Sequence, residues 1–324
     1  MEVMHRLVLA GILAWTSTDV DATGACGAAS GAGHGERIAT IACNENTLWF
    51  SPFIDTDGHL ASTKVAEGET SRLNDGMTPA WKRVVEYWKG SGLLWRMTGT
   101  EGASDCAYPV DDRIHASSCR AFVIDTPWSA AFVSYVMARA GVPGFRPSAS
   151  HIDFVRDAYL RTAGSPFQFS DPDIERPGVG DLLCFSRSSS VVFGHQGLKD
   201  FLDRDPHGSL DMHCEVVVAA NPGGNGKVHL VGGNVLQGVT MRELHVNRNG
   251  LLWSLPRRFG IDTTCSPDNG KGCSFNRQDW VALLKLNPAL ATPRSPQPAT
   301  TPATRPPTCC LKCAADVAPG IPRC

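Results

Sequence analysis

Residues Asp125 to Pro143 read D-T-P-W-S-A-A-F-V-S-Y-V-M-A-R-A-G-V-P, and no other stretch limits the fold so strongly. The spacing predicts a helix. Asp125 or Thr126 can cap its start by accepting from the free amides of the first turn. Pro127 suits the first helical position, and Gly141 with Pro143 stops the run. Phe132, Val133, Val136, Met137 and Ala140 recur at helical period and make an apolar face. Such a face must be covered by a second layer of structure. Ser129 falls on the same face, in the first turn, with the positive end of the helix dipole behind its hydroxyl. That position suits a nucleophile, and it equally suits a small residue where helix and sheet pack closely.

The second layer is readable further along. Pro177 to Asp181 is a turn, and Leu182 to Phe185 a short buried strand. His213 to Ala220, Val228 to Val231, Val239 to Leu244 and Leu251 to Leu255 read as strands, with a Gly/Asn turn at 221–226 making a hairpin. Glu36 to Phe50, Ala80 to Lys89 and His151 to Thr162 read as further helices, the last capped by Ser148 or Ser150. Ser186 to Asp211 reads as a long loop, and Asp279 to Leu286 as a closing helix. Helices followed by an antiparallel run of strands predict an α+β domain, with N-terminal helices packed on a small antiparallel sheet.

The 324 residues are 42% hydrophobic and 19% charged, enough to build a sizeable core. Net charge is −2 and no basic stripe is present, which argues against nucleic acid. The 12 cysteines favour an oxidising compartment. The N-terminus agrees: a short basic start, the apolar run Leu7 to Trp15 and small residues near Ala22 make residues 1–22 a signal peptide by pattern. A weaker alternative is a lipoprotein box ending at Cys26. No later segment is long and apolar enough to span a bilayer. Residues 23–35 are Gly/Ala-rich and expected to be flexible. One domain is expected over 36–286, a Pro/Thr-rich linker over 287–308 and a Cys-rich tail over 309–324. Disulfides are expected between Cys106 and Cys119 and between Cys265 and Cys273. The tail cysteines also suit disulfides better than zinc. Asp55 to Gly58 starts like a calcium loop, but Ala66 stands where a closing Glu is needed, so no metal or other cofactor is expected.

A nucleophilic hydrolase needs a nucleophile, a base and a group that orients the base. His213 opens a strand and shares a face with Glu215. Asn234 ends V-G-G-N after the hairpin. The order of parts is W-S-A-A-F-V-S (Trp128 to Ser134), S-x-x-H ending at His151, P-G-V-G-D, H-C-E-V-V-V and G-G-N. It resembles the CHAP group (cysteine, histidine-dependent amidohydrolases/peptidases) and the wider NlpC-type, papain-like peptidoglycan hydrolases. It is also similar, from about Glu36 to Trp253, to a bacterial domain-of-unknown-function family with the same ordered motifs.

The resemblance implies a papain-like core and a residue-by-residue assignment. Ser129 falls on the cysteine nucleophile's position and His213 on the base. Asn234 falls on the orienting residue, with Glu215 competing for that role. Trp128, His151 and Arg187 fall beside the cleft as substrate contacts, and Asp181 is structural. Serine in place of cysteine is a departure, because a hydroxyl does not form a standing ion pair with histidine. Two functions follow as expectations. One is an exported hydrolase of amide bonds in cell-wall peptide or glycopeptide. The other is a non-catalytic envelope-binding module with a degenerate hydrolase cleft.

Overall fold

The computed structural model describes residues 22–27, 33–107, 113–160, 164–252, 254–258 and 265–291. The signal-peptide reading, except its last residue, lies outside these residues, as do the linker beyond 291 and the Cys-rich tail. The described elements in chain order are α1 (Ala22–Gly27), α2 (His34–Leu48), β1 (Phe53–Ile54), β2 (Leu60–Ala61), α3 (Ala80–Gly90), α4 (Arg113–Asp125), α5 (Ser129–Ala140), α6 (His151–Leu160), β3 (Phe167–Ser170), β4 (Leu182–Ser186), α7 (Gly194–Arg204), β5 (Met212–Ala220), β6 (Lys227–Val235), β7 (Gly238–His245), β8 (Asp279–Leu286) and α8 (Pro288–Ala291).

The fold is α+β. The sheet is larger than expected, with eight strands in the order β2-β1-β7-β6-β5-β4-β8-β3. It is mixed, because β1 runs parallel to β7 while the other neighbours are antiparallel. One face carries the main core: Val133, Val136 and Met137 of α5 and Ile38 and Ala42 of α2 cluster with Cys214, Val216 and Val231 of the sheet. The opposite face is also covered, where Leu183, Phe185, Val217, Leu230 and Trp280 cluster with Leu252 and Leu255. Burial on both faces explains why the strands read as nearly continuous apolar runs. A buried polar network ties the helices together. Arg83 of α3 forks onto Glu45 of α2, and Tyr87 donates to the same carboxylate at 2.8 Å.

Several expectations are corrected. Asp279–Leu286 is strand β8, not a helix. Its pairing with β4 shifts register between Cys184 and Phe185, placing Trp280 on one face but both Val281 and Ala282 on the other. That bulge destroys the two-residue period that would have marked a strand. The loop expected over 186–211 contains α7, whose buried positions are only Leu198 and Leu202, one turn apart. The described residues of 251–255 are not in a strand. Helix α1 takes the place of the flexible start expected from residue 23, and α4 opens at Arg113. Disulfides join Cys26–Cys43, Cys106–Cys119, Cys184–Cys214 and Cys265–Cys273. The second and fourth are the expected pairs. The first occupies the sulfur that a lipid anchor at Cys26 would need.

The G-G of V-G-G-N is a packing requirement. A β-carbon on Gly233 would stand 2.4 Å from Phe132 of α5, and one on Gly232 would stand 2.8 Å from Glu215 and 3.0 Å from His213 Nε2. Both faces of β6 are therefore in close contact at this point. Gly233→Ala is expected to cost about 1–3 kcal/mol through overpacking, read as a lowered urea midpoint with an unchanged m-value.

Candidate functional site

Helix α5 begins two residues later than its sequence suggested. Asp125 ends α4, Trp128 is the N-cap, and Ser129 is the first helical residue. Asp125 and Thr126 therefore do not cap α5, and Pro127 lies in the corner where the helices meet at 99°. Gly141 closes the helix in the left-handed region at φ 64°, as its position implied. Trp128 has no surface to offer a substrate. It is fully buried, stacked on Trp49 and Tyr87, and its indole donates to Glu67 at 2.8 Å.

The Ser129 hydroxyl meets a histidine, but a different one from that expected. His151 Nε2 lies 2.8 Å from Ser129 Oγ, with both side chains buried. The last serine of W-S-A-A-F-V-S and the serine of S-x-x-H make this contact possible. Ser134 Oγ donates to the Ser148 carbonyl at 3.0 Å and accepts from the Ser148 amide at 3.1 Å. Ser148 Oγ then accepts the Ser150 amide and donates to Asp153. The start of α6 is thereby fastened to the middle of α5, and His151 is carried over Ser129.

His213 stands one ring further out, its centroid 5.1 Å from that of His151. Its Nε2 lies 3.5 Å from Glu215 Oε1, too far for a well-formed hydrogen bond, and has no other partner. Glu215 faces His213 as strand alternation requires, but its firm partner is Arg242, which grips both carboxylate oxygens at 2.8 and 2.9 Å. Arg242 also donates to Asn276 Oδ1 and the Phe275 carbonyl. Asn234 is turned away from this group. Its amide donates to Glu67 at 2.5 Å, so together with Trp128 it fixes the start of α5 to the end of β6. Asp181 is structural: it accepts from Gly178 N, Lys285 Nζ and Leu286 N. Cys214 points to the opposite face from His213 and is tied to Cys184.

Burial holds the His151 imidazole well below its ordinary value of 6.5, and the charges of His213 and Arg187 act in the same direction. His213 is also lowered by burial; Glu215 opposes the shift, while Arg242 and Arg187 add to it. Both rings are therefore neutral at pH 7. Burial alone would raise the Glu215 carboxyl, but the Arg242 charge, the nearby His213 ring and the Arg242 hydrogen bonds hold it at about 2. Burial raises Glu67 against the hydrogen bonds of Trp128 and Asn234.

His213, Asn234, Arg187, Arg242 and Arg258 line a cleft of about 330 Å³ with Phe185 and Phe275. Neither Ser129 nor His151 is among its lining residues.

Over residues 75–286, well over half of its length, the sequence matches the family described as uncharacterized protein conserved in bacteria (DUF2272). The chain belongs to the DUF2272 family. No curated protein and no solved structure matches it significantly. The DUF2272 match takes in Ser129, His151, Arg187, His213, Glu215, Asn234 and Arg242, but not Glu67. Sequence reading missed three residues of this network: Glu67, Asn276 and Arg242. Glu67 sits in a turn-rich segment with no period to place it. Asn276 lies in a loop. Arg242 did carry a signal, as a charge in the middle of the apolar strand V-T-M-R-E-L.

Outside the site, Asp55, Asp57 and His59 bring ligand atoms within 4.8 Å of one another. Asp55 already accepts the His59 amide at 2.8 Å, so the turn accounts for this grouping. The four disulfides indicate an oxidising, exported compartment. Among the described residues no single helix is long and apolar enough to cross a membrane.

Proposed function

We propose that this protein is an exported hydrolase of amide bonds in cell-wall peptide, with Ser129 as nucleophile. The observation that carries the reading is the 2.8 Å contact between Ser129 Oγ and His151 Nε2 at the tip of α5. A neutral imidazole in that position accepts the serine proton as Oγ attacks the carbonyl carbon. The first-turn amides of α5 lack intrahelical partners and face the developing oxyanion. The amine leaves with a proton, and water then attacks the acyl-serine with the same imidazole as base. The His151 imidazolium gives the serine proton to that departing amine, which restores the neutral imidazole for the water step, and His213, whose ring packs 5.1 Å from that of His151, is suited to hold it over Ser129. The motif order shared with CHAP and NlpC-type hydrolases supports the substrate class. It gave His213 the role of base; the contact geometry favours His151 for it.

The test is release of peptide fragments from purified peptidoglycan. Wild type is expected to release them and Ser129→Ala to release none. Equal release by both would remove Ser129 from the mechanism. The absence of Ser129 and His151 from the cleft lining favours a second reading, a peptidoglycan-binding module without turnover. Saturable binding by wild type with no fragment release would select it.

A further inference from the structure

We infer that the cleft beside His213 binds a free carboxylate of an acidic peptide, held between Arg187 and Arg258. The substrate's peptide nature rests on the function proposed above; the anion preference rests on the cleft itself. Three arginines line it and no Asp or Glu does, although the chain as a whole carries a net charge of −2. Arg242 is neutralised by Glu215 and turned toward Asn276, so it offers no spare charge. Arg258 is anchored by donating to the Ser188 carbonyl, which leaves most of its fork available. Arg187 is exposed, and its guanidinium has no partner among the described residues. His213 lines the same cleft and is neutral, with its Nε2 facing Glu215 at 3.5 Å, so it adds no negative charge there. Two guanidinium forks in one cleft match a planar carboxylate, which accepts paired N–H donors. The apolar walls, Phe185, Phe275 and Leu236, suit the aliphatic stem of an acidic residue.

The experiment titrates a soluble cell-wall peptide with free carboxylates, and the same peptide with its carboxylates amidated, into the full chain carrying Ser129→Ala. Calorimetry then reads binding without turnover. The free acid is expected to bind at least about tenfold more tightly, in line with loss of a charged hydrogen bond. The preference is expected to shrink in high salt. Arg187→Gln alters an exposed side chain without a partner, so it should fold normally and erase most of the preference; Arg258→Gln should act in the same direction. Equal binding of the two peptides, or an unchanged preference in Arg187→Gln, would overturn the assignment. Because no step depends on cleavage, failure of the hydrolase reading shows separately, as wild type that binds the free acid and releases nothing.

Discussion

His151→Ala is expected to lower peptide release by roughly 10²–10⁴-fold, the usual contribution of a positioned general base. The expectation differs from what motif order alone implies, which is that His213 carries the largest loss. The reason is distance: His151 touches Ser129 at 2.8 Å, whereas His213 lies one ring beyond, 5.1 Å from His151 between centroids. His213→Ala should cost less, because it removes a ring packed against His151 and not the group that takes the serine proton. A near-normal rate in His151→Ala, combined with an inactive His213→Ala, would return the role of base to His213. Circular dichroism on each variant separates lost chemistry from lost structure.

Arg242→Met should lower stability by about 3–5 kcal/mol, because it leaves the Glu215 carboxylate buried without its counter-charge. For a domain of this size the fall in melting temperature is on the order of 10 °C. The double variant Glu215→Leu with Arg242→Met should recover much of the loss, since removing both charges avoids the uncompensated one. If the double variant is as unstable as the single, the cost lies in packing over Phe185 and Trp280, whose rings Arg242 covers.

The pH dependence gives a second reading of the same group. Glu215 is held at about 2, against an ordinary 4.5. Its contribution is therefore fully present above the unfolded value and is lost as pH falls from about 4.5 toward 2. His151 and His213 both sit below 6.5 in the fold, so the unfolded chain binds their protons first, and stability falls as pH drops below 6.5. In Arg242→Met the lone buried carboxyl would titrate high instead, and protonation would relieve it. The stability gap to wild type should narrow between pH 7 and pH 4 in urea titrations. A gap that stays constant would mean that Glu215 is not the charge left behind.

Much of the architecture was present in the chain's local patterns. Helices α2, α3, α5 and α6 and strands β4 to β7 follow from period and punctuation, because each buries one face or lies between turn residues. Strand β8 was not legible, because a bulge opposite Cys184 breaks its alternation, and a run of apolar residues without a period suits helix or strand equally. Helix α7 was hidden because only two of its side chains are buried. For the site, the sequence by itself determined the inward placement of Ser129 and the shared face of His213 and Glu215. Each depends only on the geometry of a single helix or strand. Which imidazole reaches Ser129, that Asn234 serves Glu67, and that Arg242 holds Glu215 were decided only by the tertiary structure. Those contacts join residues 22, 167 and 27 positions apart. Their partners are set by how α6 docks on α5 through Ser134 and Ser148 and by how β5, β6 and β7 align, neither of which is written in any local repeat.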